Sequence, residues 1–231
     1  MKKVFVGIFI IALGCLSFQV KNDKKDLTLL VHLNFQKEPL VLNDRKYITK
    51  NKDTITITKM KFYISNILLQ MNDGSVYKES SSVHLVDAEN LNSLEFKLKN
   101  VPDLKINMVS FDVGIDSVNS VSDKFEGDLD PTNGMYWAWN TGYVNMKLEG
   151  KSSSCANAKK EFQFHIGGYL PKQNALQKIE WTLDGKQNIN IEVELSNWLD
   201  AISLKETNSI MIPGEKAMNM ANLYKNMFKI N

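Results

Sequence analysis

Three histidines are the side chains of this sequence best suited to binding a transition metal. His32, His84 and His165 are spread along the chain, and the neutral imidazole ring is a good ligand for copper and zinc. They form no local ligand motif such as HExxH, so a joint site requires the fold to bring them together. The sequence also contains no GxSxG, P-loop, GxGxxG or CxxC motif, and we therefore predict that the protein is not an enzyme.

A cluster of aromatic residues follows a turn signal in the middle of the chain. Residues 130–134 (Asp-Pro-Thr-Asn-Gly) are typical of a tight turn, and Tyr136, Trp137, Trp139 and Tyr143 follow directly. In an extended segment Trp137 and Trp139 lie on the same face. Two neighbouring indoles either fill a core or form a flat platform for a cation or a sugar ring, and both interpretations remain open.

Acidic residues around this turn form a second candidate site. Carboxylate and amide oxygens are the ligands that Ca²⁺ prefers, and several occur between residues 112 and 133. They are Asp112, Asp116, Asn119, Asp123, Glu126, Asp128, Asp130 and Asn133. The spacing of an EF-hand is absent, and Asp is common at the start of turns, so a calcium site and ordinary turn chemistry both fit.

Alternation of apolar and polar residues is the main signal for secondary structure. Apolar residues at every second position from Leu27 to Phe35 predict a strand, and nine similar runs follow, separated by Gly, Asn, Asp and Pro. These runs are 54–58, 61–71, 82–86, 93–98, 105–113, 142–148, 161–166, 178–183 and 189–195. No helical period lies between them, which favours an all-β fold, an antiparallel β-sandwich. The spacing of apolar residues over 214–228 predicts a short C-terminal helical tail.

The first residues indicate export. Lys2 and Lys3 precede an apolar run from residue 4 to residue 18, which is shorter than the ~20 residues that span a bilayer, so we interpret residues 1–14 as a signal peptide. Ala12 and Gly14 before Cys15 fit either a lipobox, in which Cys15 is lipidated, or an ordinary cleavage site. The remaining boundaries are a polar linker over 15–26, a β-sandwich domain over 27–200 and a docking tail over 201–231.

Charge and cysteine content exclude two classes of protein. Cleavage removes two of the 28 basic residues and none of the 26 acidic ones, so the mature chain is formally neutral. A neutral domain lacks the basic surface of a nucleic-acid-binding protein. Because Cys155 is then the only cysteine besides Cys15, no internal disulfide framework is expected.

Three longer motifs carry a resemblance to a known family. They are residues 135–143 (MYWAWNTGY), residues 147–150 (KLEG) and residues 162–169 (FQFHIGGY), with supporting pieces at 39–42, 61–67, 84–87, 110–116 and 221–228. In this order they resemble the MbnP-like copper-binding domain, particularly the Bacteroidetes-type envelope lipoproteins of that family. The resemblance covers the chain from about residue 27 to its end.

The resemblance implies an extracytoplasmic β-sandwich that binds copper through imidazole nitrogens. His165 matches the family's His-(Ile/Leu)-Gly motif, with His32 and His84 as the other available imidazoles. Trp137 and Trp139 match paired tryptophans, one of which a dihaem peroxidase-like partner oxidises to kynurenine in some relatives. The implied location is the cell envelope, either the periplasm or the outer membrane through a lipid tether.

Two other functions remain open beside copper binding. One is a metal-free envelope module for binding or assembly, in which Trp137 and Trp139 contact a glycan or a protein. This function requires both indoles to be exposed and the imidazoles to be apart, whereas a copper site requires His165 and a second imidazole near one point. A hydrolase would require a cleft with a perturbed carboxylate or a nucleophile–base pair.

Overall fold

The structure, a computed structural model, describes residues 23–140, 142–186 and 188–231. The predicted signal peptide, residues 1–14, and the predicted lipidation site at Cys15 lie outside these ranges. The described strands are β1 (Lys24–Phe35), β2 (Glu38–Pro39), β3 (Tyr47–Ile48), β4 (Thr54–Met71), β5 (Val76–Lys78), β6 (Val83–Asp87), β7 (Glu95–Pro102), β8 (Ile106–Val113), β9 (Tyr136–Trp137), β10 (Gly142–Ser152), β11 (Glu161–Gly167), β12 (Gln177–Lys186), β13 (Ile189–Glu194), β14 (Ser209–Ile210) and β15 (Phe228–Ile230). The described α-helices are α1 (Ser117–Ser120), α2 (Ser196–Leu199) and α3 (Glu215–Tyr224).

Burial along β1 follows the alternation seen in the sequence. The apolar residues at alternate positions from Leu27 to Phe35 are buried, whereas His32 between them is exposed. One face of the strand therefore lies on the core and the other faces solvent. The other long strands alternate in part, with runs of buried residues in β8 and β10, and the prediction of an all-β sandwich is confirmed.

The strands form two sheets. Strands β1, β2, β7, β13 and β15 make a five-stranded sheet, and the other ten described strands make the second sheet. Pairing is antiparallel except between β1 and β13 and between β11 and β14. Both parallel pairs join strands that are far apart in sequence, because a parallel partner needs a long connection to return in the same direction.

Strand β4, with 18 residues, organises the ten-stranded sheet. On one side it pairs first with β10 and then with β8, and on the opposite side it pairs with β6. The sequence pattern predicts two strands here, 54–58 and 61–71, because a bulge opposite Glu149 and Gly150 interrupts the alternation. The backbone continues through the bulge as a single strand.

The core lies between the two sheets. Phe62 and Phe111 of the ten-stranded sheet meet Phe228 of the five-stranded sheet, with ring centroids 5.6 and 5.9 Å apart and near-perpendicular planes. Edge-to-face packing of this kind is the preferred arrangement of aromatic pairs. The contact therefore ties the C-terminal strand β15 into the sandwich.

The C-terminal segment packs on the sandwich through its apolar residues. In α3 the buried positions are Ala217, Met220, Ala221 and Tyr224, which form one helical stripe. The indole N–H of Trp198 donates to the sulfur of Met220 at 3.2 Å, so this methionine belongs to the core. No helix in the described part of the chain is long and apolar enough to cross a membrane.

A second apolar cluster covers the outer face of the ten-stranded sheet. It contains side chains of β4, β6, β9 and β10 together with residues of the connection between β8 and β9. Its buried members are Tyr63, Leu85, Ile115, Leu129, Met135, Trp137, Tyr143 and Val144, and we call it the outer cluster. The connection between β8 and β9 is thus folded against the sheet.

Candidate functional site

His165 lies on the outer face of the ten-stranded sheet. It alternates along β11 with Phe164 and Ile166, which are fully buried in the core. Its Nε2 lies 2.7 Å from Oε1 of Glu149 on the neighbouring strand β10, and the side chain is only 12% exposed. Burial lowers the pKa of the imidazole below its ordinary value, and the bond to Glu149 opposes this effect in part. The ring is therefore neutral at pH 7 and held in one orientation.

Trp137 packs beside His165 because Gly167 leaves room for its ring. A Cβ on Gly167 would lie 2.9 Å from Cζ3 of Trp137 and 2.4 Å from the carbonyl oxygen of Tyr143. Residues 165 and 167 of a strand point to the same side, so the indole lies over the position next to His165 on that face of β11. Trp137 is 6% exposed and belongs to the outer cluster.

Trp139 has a different environment from Trp137. Its ring centroid is 5.9 Å from that of Trp137 at an interplanar angle of 51°, and 64% of the residue is exposed. Strand β9 ends at Trp137, so the extended geometry that would place both indoles on one face does not continue to residue 139. The structure therefore presents one exposed indole and one buried indole.

Charged side chains form a row across the strands beside His165. His165 is in register with Lys147 of β10, Lys147 with Lys61 of β4, and Lys61 with Asp87 of β6. Lys61 and Asp87 form a salt bridge of 2.8 Å in which both side chains are 14% exposed. The ammonium group of Lys147 donates to the carbonyl of Gly134, and burial lowers its pKa. Lys61 is thus paired with a carboxylate, whereas Lys147 bonds to a neutral carbonyl and its charge still acts on His165.

His84 lies in a separate place between the two sheets. Its ring stacks on Phe96 of the five-stranded sheet at 4.1 Å and 13°, and its Nε2 lies 2.9 Å from Oε2 of Glu79. Strand β6 is separated from β11 by β4 and β10, and three strand spacings amount to about 14 Å. His84 is also on the inner face, in register with the buried Ile64, whereas His165 is on the outer face.

His32 is farther still from His165. It is exposed on the outer face of the five-stranded sheet, in register with Glu192 of β13. The two sheets lie roughly 10 Å apart, and the two residues point away from each other. The structure therefore does not bring the three imidazoles together, and the described residues contain no group of three His, Cys, Asp or Glu side chains that could hold a metal ion. Whether each of them binds metal stays a prediction.

Several acidic residues of the calcium hypothesis already accept hydrogen bonds from the protein. The side-chain amide of Asn66 donates to Asp112 and to Asp116, at 2.9 Å in each case. Asp116 also accepts from the backbone N–H of Asn119, and Asp128 accepts from the backbone N–H of Leu85. Caps and turns of this kind account for these carboxylates without an ion. Calcium binding stays a prediction.

Glu149 and Lys147 are the residues of this site that the sequence analysis did not single out. Both belong to the KLEG motif, and period two along β10 places them on one face. Their proximity to His165 depends on the register between β10 and β11, and no local sequence signal specifies that register.

The fold and the site define a class of protein. It is a β-sandwich whose outer cluster buries one tryptophan beside a single, carboxylate-bonded histidine. The model of the MbnP family matches residues 24–212, and the chain therefore belongs to this family.

Comparison with known structures agrees at the level of the fold. The solved structure of MbnP from Methylosinus trichosporium superposes with a TM-score of 0.66 and 11% sequence identity, covering 90% of this chain and 98% of that one. At this identity the likeness shows the fold alone. No curated protein matches the chain.

Proposed function

We propose that this chain is a non-enzymatic protein of the cell envelope that binds copper at a site centred on His165. The observation that carries the proposal is the half-buried imidazole of His165, fixed by Glu149 at 2.7 Å, with the ring of Trp137 over the nearby Gly167. Histidines that bind metals commonly have one ring nitrogen hydrogen-bonded to a carboxylate, which fixes the tautomer and the ring orientation. The motif of His165 is also one of the three that carry the family resemblance.

The residues present fit a copper ion only in part. His165 supplies one nitrogen, Nδ1, because its Nε2 is bonded to Glu149, and that carboxylate orients the ring instead of binding the ion. A square-planar Cu(II) site takes four donors. His32 and His84 are on other surfaces, so the second imidazole that a copper site requires is not supplied, and another donor must take its place. A tryptophan oxidised to kynurenine offers carbonyl and amine donors, and Trp137 is the tryptophan whose ring lies over Gly167, two residues along β11 from His165. We therefore assign the oxidisable position to Trp137 and expect a dihaem peroxidase-like partner to modify it.

One histidine variant tests the copper site against two control variants. His84 forms the same kind of pair with a glutamate as His165 does, but it lies outside the His-(Ile/Leu)-Gly motif. After equilibrium dialysis against copper, His165→Ala should lose the bound metal, while His84→Ala and His32→Ala should keep it. Equal copper content in His165→Ala and the native chain would refute the assignment.

The proposed location is tested by mass. Residues 1–14 should be missing from the protein isolated from its native envelope, and a lipid on Cys15 would tether it to a membrane. Intact mass of the membrane fraction measures both features, together with oxidation of a tryptophan. A mass that includes Met1 would exclude cleavage.

A second candidate function, a metal-free binding module, rests on the exposure of Trp139. An indole that is 64% exposed offers a stacking surface for a sugar ring or an apolar partner, although the buried Trp137 does not extend that surface. Titration with soluble envelope oligosaccharides, followed by tryptophan fluorescence, would show binding that Trp139→Ala abolishes and His165→Ala retains. No response at any concentration would leave this candidate without support.

A further inference from the structure

The turn before β9 is held on the sheet by side chains that donate to its backbone carbonyls. The hydroxyl of Tyr63 donates to the carbonyl of Asp128, and the hydroxyl of Tyr143 donates to the carbonyl of Leu129, at 2.9 Å in both cases. Burial raises the pKa of Tyr143 to about 12, so it remains a donor in neutral solution. These two tyrosines fix the first half of the turn.

Two lysines fix the second half of the turn in the same way. The ammonium group of Lys147 donates to the carbonyl of Gly134, and that of Lys61 reaches the carbonyl of Asn133 at 3.5 Å. Hydrogen bonds from charged donors are stronger than those between neutral groups. We call the four donors Tyr63, Tyr143, Lys61 and Lys147 the carbonyl clamp.

The carbonyl clamp holds the turn that leads into β9, the strand that contains Trp137. Gly134, which Lys147 holds, is three residues before Trp137, and the carbonyl of Met135 between them accepts from the N–H of Val144 at 2.8 Å. The backbone between the clamped carbonyl of Gly134 and Trp137 therefore has little conformational freedom. On the other side, Lys147 is in register with His165. The side chain of Lys147 therefore links the turn before Trp137 to β10, the strand that pairs with the His165 strand.

We propose that Lys147 is a positioning residue, which holds the Gly134 carbonyl so that Trp137 packs beside His165. The proposal deepens the proposed function, because it assigns a role around the same site.

The positioning role contradicts a simple electrostatic expectation. An ammonium group near a metal site repels a cation, so its removal should tighten copper binding if charge were its only effect. A positioning role predicts the opposite sign.

Lys59 provides the matched control. It also projects near His165, in register with Glu149, and it lowers the pKa of His165 by charge repulsion, after the larger effect of burial. Among the described residues Lys59 donates to no carbonyl of the turn. Lys59→Met therefore removes the same charge without breaking the clamp, and Lys147→Met removes the charge and the clamp while retaining the aliphatic stem.

Amide hydrogen exchange tests the position without any metal. The N–H groups of Asn133 and Gly134 are bonded inside the turn, to Asp130 and Pro131. Exchange at these amides should accelerate roughly tenfold in Lys147→Met and stay unchanged in Lys59→Met, since a charged hydrogen bond is lost in the first alone. Lys147→Arg retains a donor and should restore slow exchange. Amides of β4 serve as the reference for global opening.

The outcomes separate this inference from the proposed function. The positioning role would be overturned if the amides of Asn133 and Gly134 exchanged at the native rate in Lys147→Met. It would also be overturned if their exchange accelerated equally in Lys147→Met and Lys59→Met. Copper binding that tightens in both variants would overturn it as well, since Lys147 would then act as a charge alone. If Lys147→Met does not fold, Tyr143→Phe replaces it, and faster exchange is then expected at Leu129 and Asp130. A native chain that binds no copper would refute the proposed function, and the exchange result would still decide the role of Lys147.

Discussion

Substitution of Gly167 by alanine tests how closely Trp137 and β10 pack against the His165 strand. The new Cβ would lie 2.4 Å from the carbonyl oxygen of Tyr143 and 2.9 and 3.1 Å from two ring carbons of Trp137. Favourable carbon contacts begin at about 3.5 Å, so the ring must move by roughly 0.5 Å and the backbone of β10 by about 1 Å. Trp137 can tilt, but the carbonyl oxygen of Tyr143 can move only together with its strand.

The expected cost follows from this geometry. Overpacking a well-packed site costs about 1–3 kcal/mol, and displacement of backbone places Gly167→Ala in the upper half of that range. For a domain of this size each kcal/mol lowers the melting temperature by about 2–4 °C, so a decrease of roughly 4–12 °C is expected. The indole signal in near-UV circular dichroism should change as well, because Trp137 leaves its packed position.

Gly142→Ala is the matched control for this prediction. Its new Cβ would meet only the ring of Tyr169, at 3.0 and 3.3 Å, and this partly exposed side chain can shift. Its unfolding temperature should therefore stay within about 2 °C of the native value, because a movable side chain absorbs the contact. Thermal unfolding of both variants measures the difference. A Gly167→Ala protein as stable as the native chain, with an unchanged indole signal, would show that the contact between β10, Trp137 and Gly167 is loose.

Three further predictions concern the titration of the site and the docking of the tail. Burial lowers the pKa of His165 below 6.5, so the unfolded chain binds more protons and stability decreases as pH falls from 6.5. Denaturant midpoints measured from pH 7 to pH 5 should therefore depend less on pH in His165→Gln than in the native chain. The same pH dependence in both proteins would contradict this. Trp198→Ala removes a fully buried indole bonded to Met220 and should cost about 3–5 kcal/mol in chemical unfolding; a loss below about 1 kcal/mol would mean that α3 is not anchored there. Tyr224→Phe removes the 3.1 Å hydrogen bond to the carbonyl of Ala175 and should cost about 1–3 kcal/mol in the same assay. An unchanged stability would mean that water replaces the hydroxyl as the donor.

The strands were predictable wherever one face of the strand is exposed to solvent. In β1 every second residue is apolar and buried, because a strand between core and solvent has a period of two. In β4 the prediction broke one strand into two, because the bulge opposite Glu149 and Gly150 shifts which face each residue takes. A bulge has no signal of its own in this stretch of sequence.

The candidate site was predictable only in part. His165 was identified through its motif, but its partner Glu149 depends on a cross-strand register. Trp137 and Trp139 were expected to share a face, but β9 ends at Trp137, so one indole is buried and the other is exposed although their ring centroids are 5.9 Å apart. His32 and His84 have the residue type of metal ligands, yet they lie on different faces and sheets, which sequence spacing does not reveal.

The sequence by itself determined the class of fold, the membership of the MbnP family and the presence of a His–Gly motif after an aromatic segment. These properties are local, because period, turn residues and motifs are properties of neighbours along the chain. Only the tertiary structure decided which side chains surround His165. The pairing of β11 with β10 and of β10 with β4 places Glu149 and Lys147 beside it, and Gly167 admits Trp137. Such neighbours arise from hydrogen bonds between strands distant in sequence, where a shift of one residue would turn every side chain to the other face.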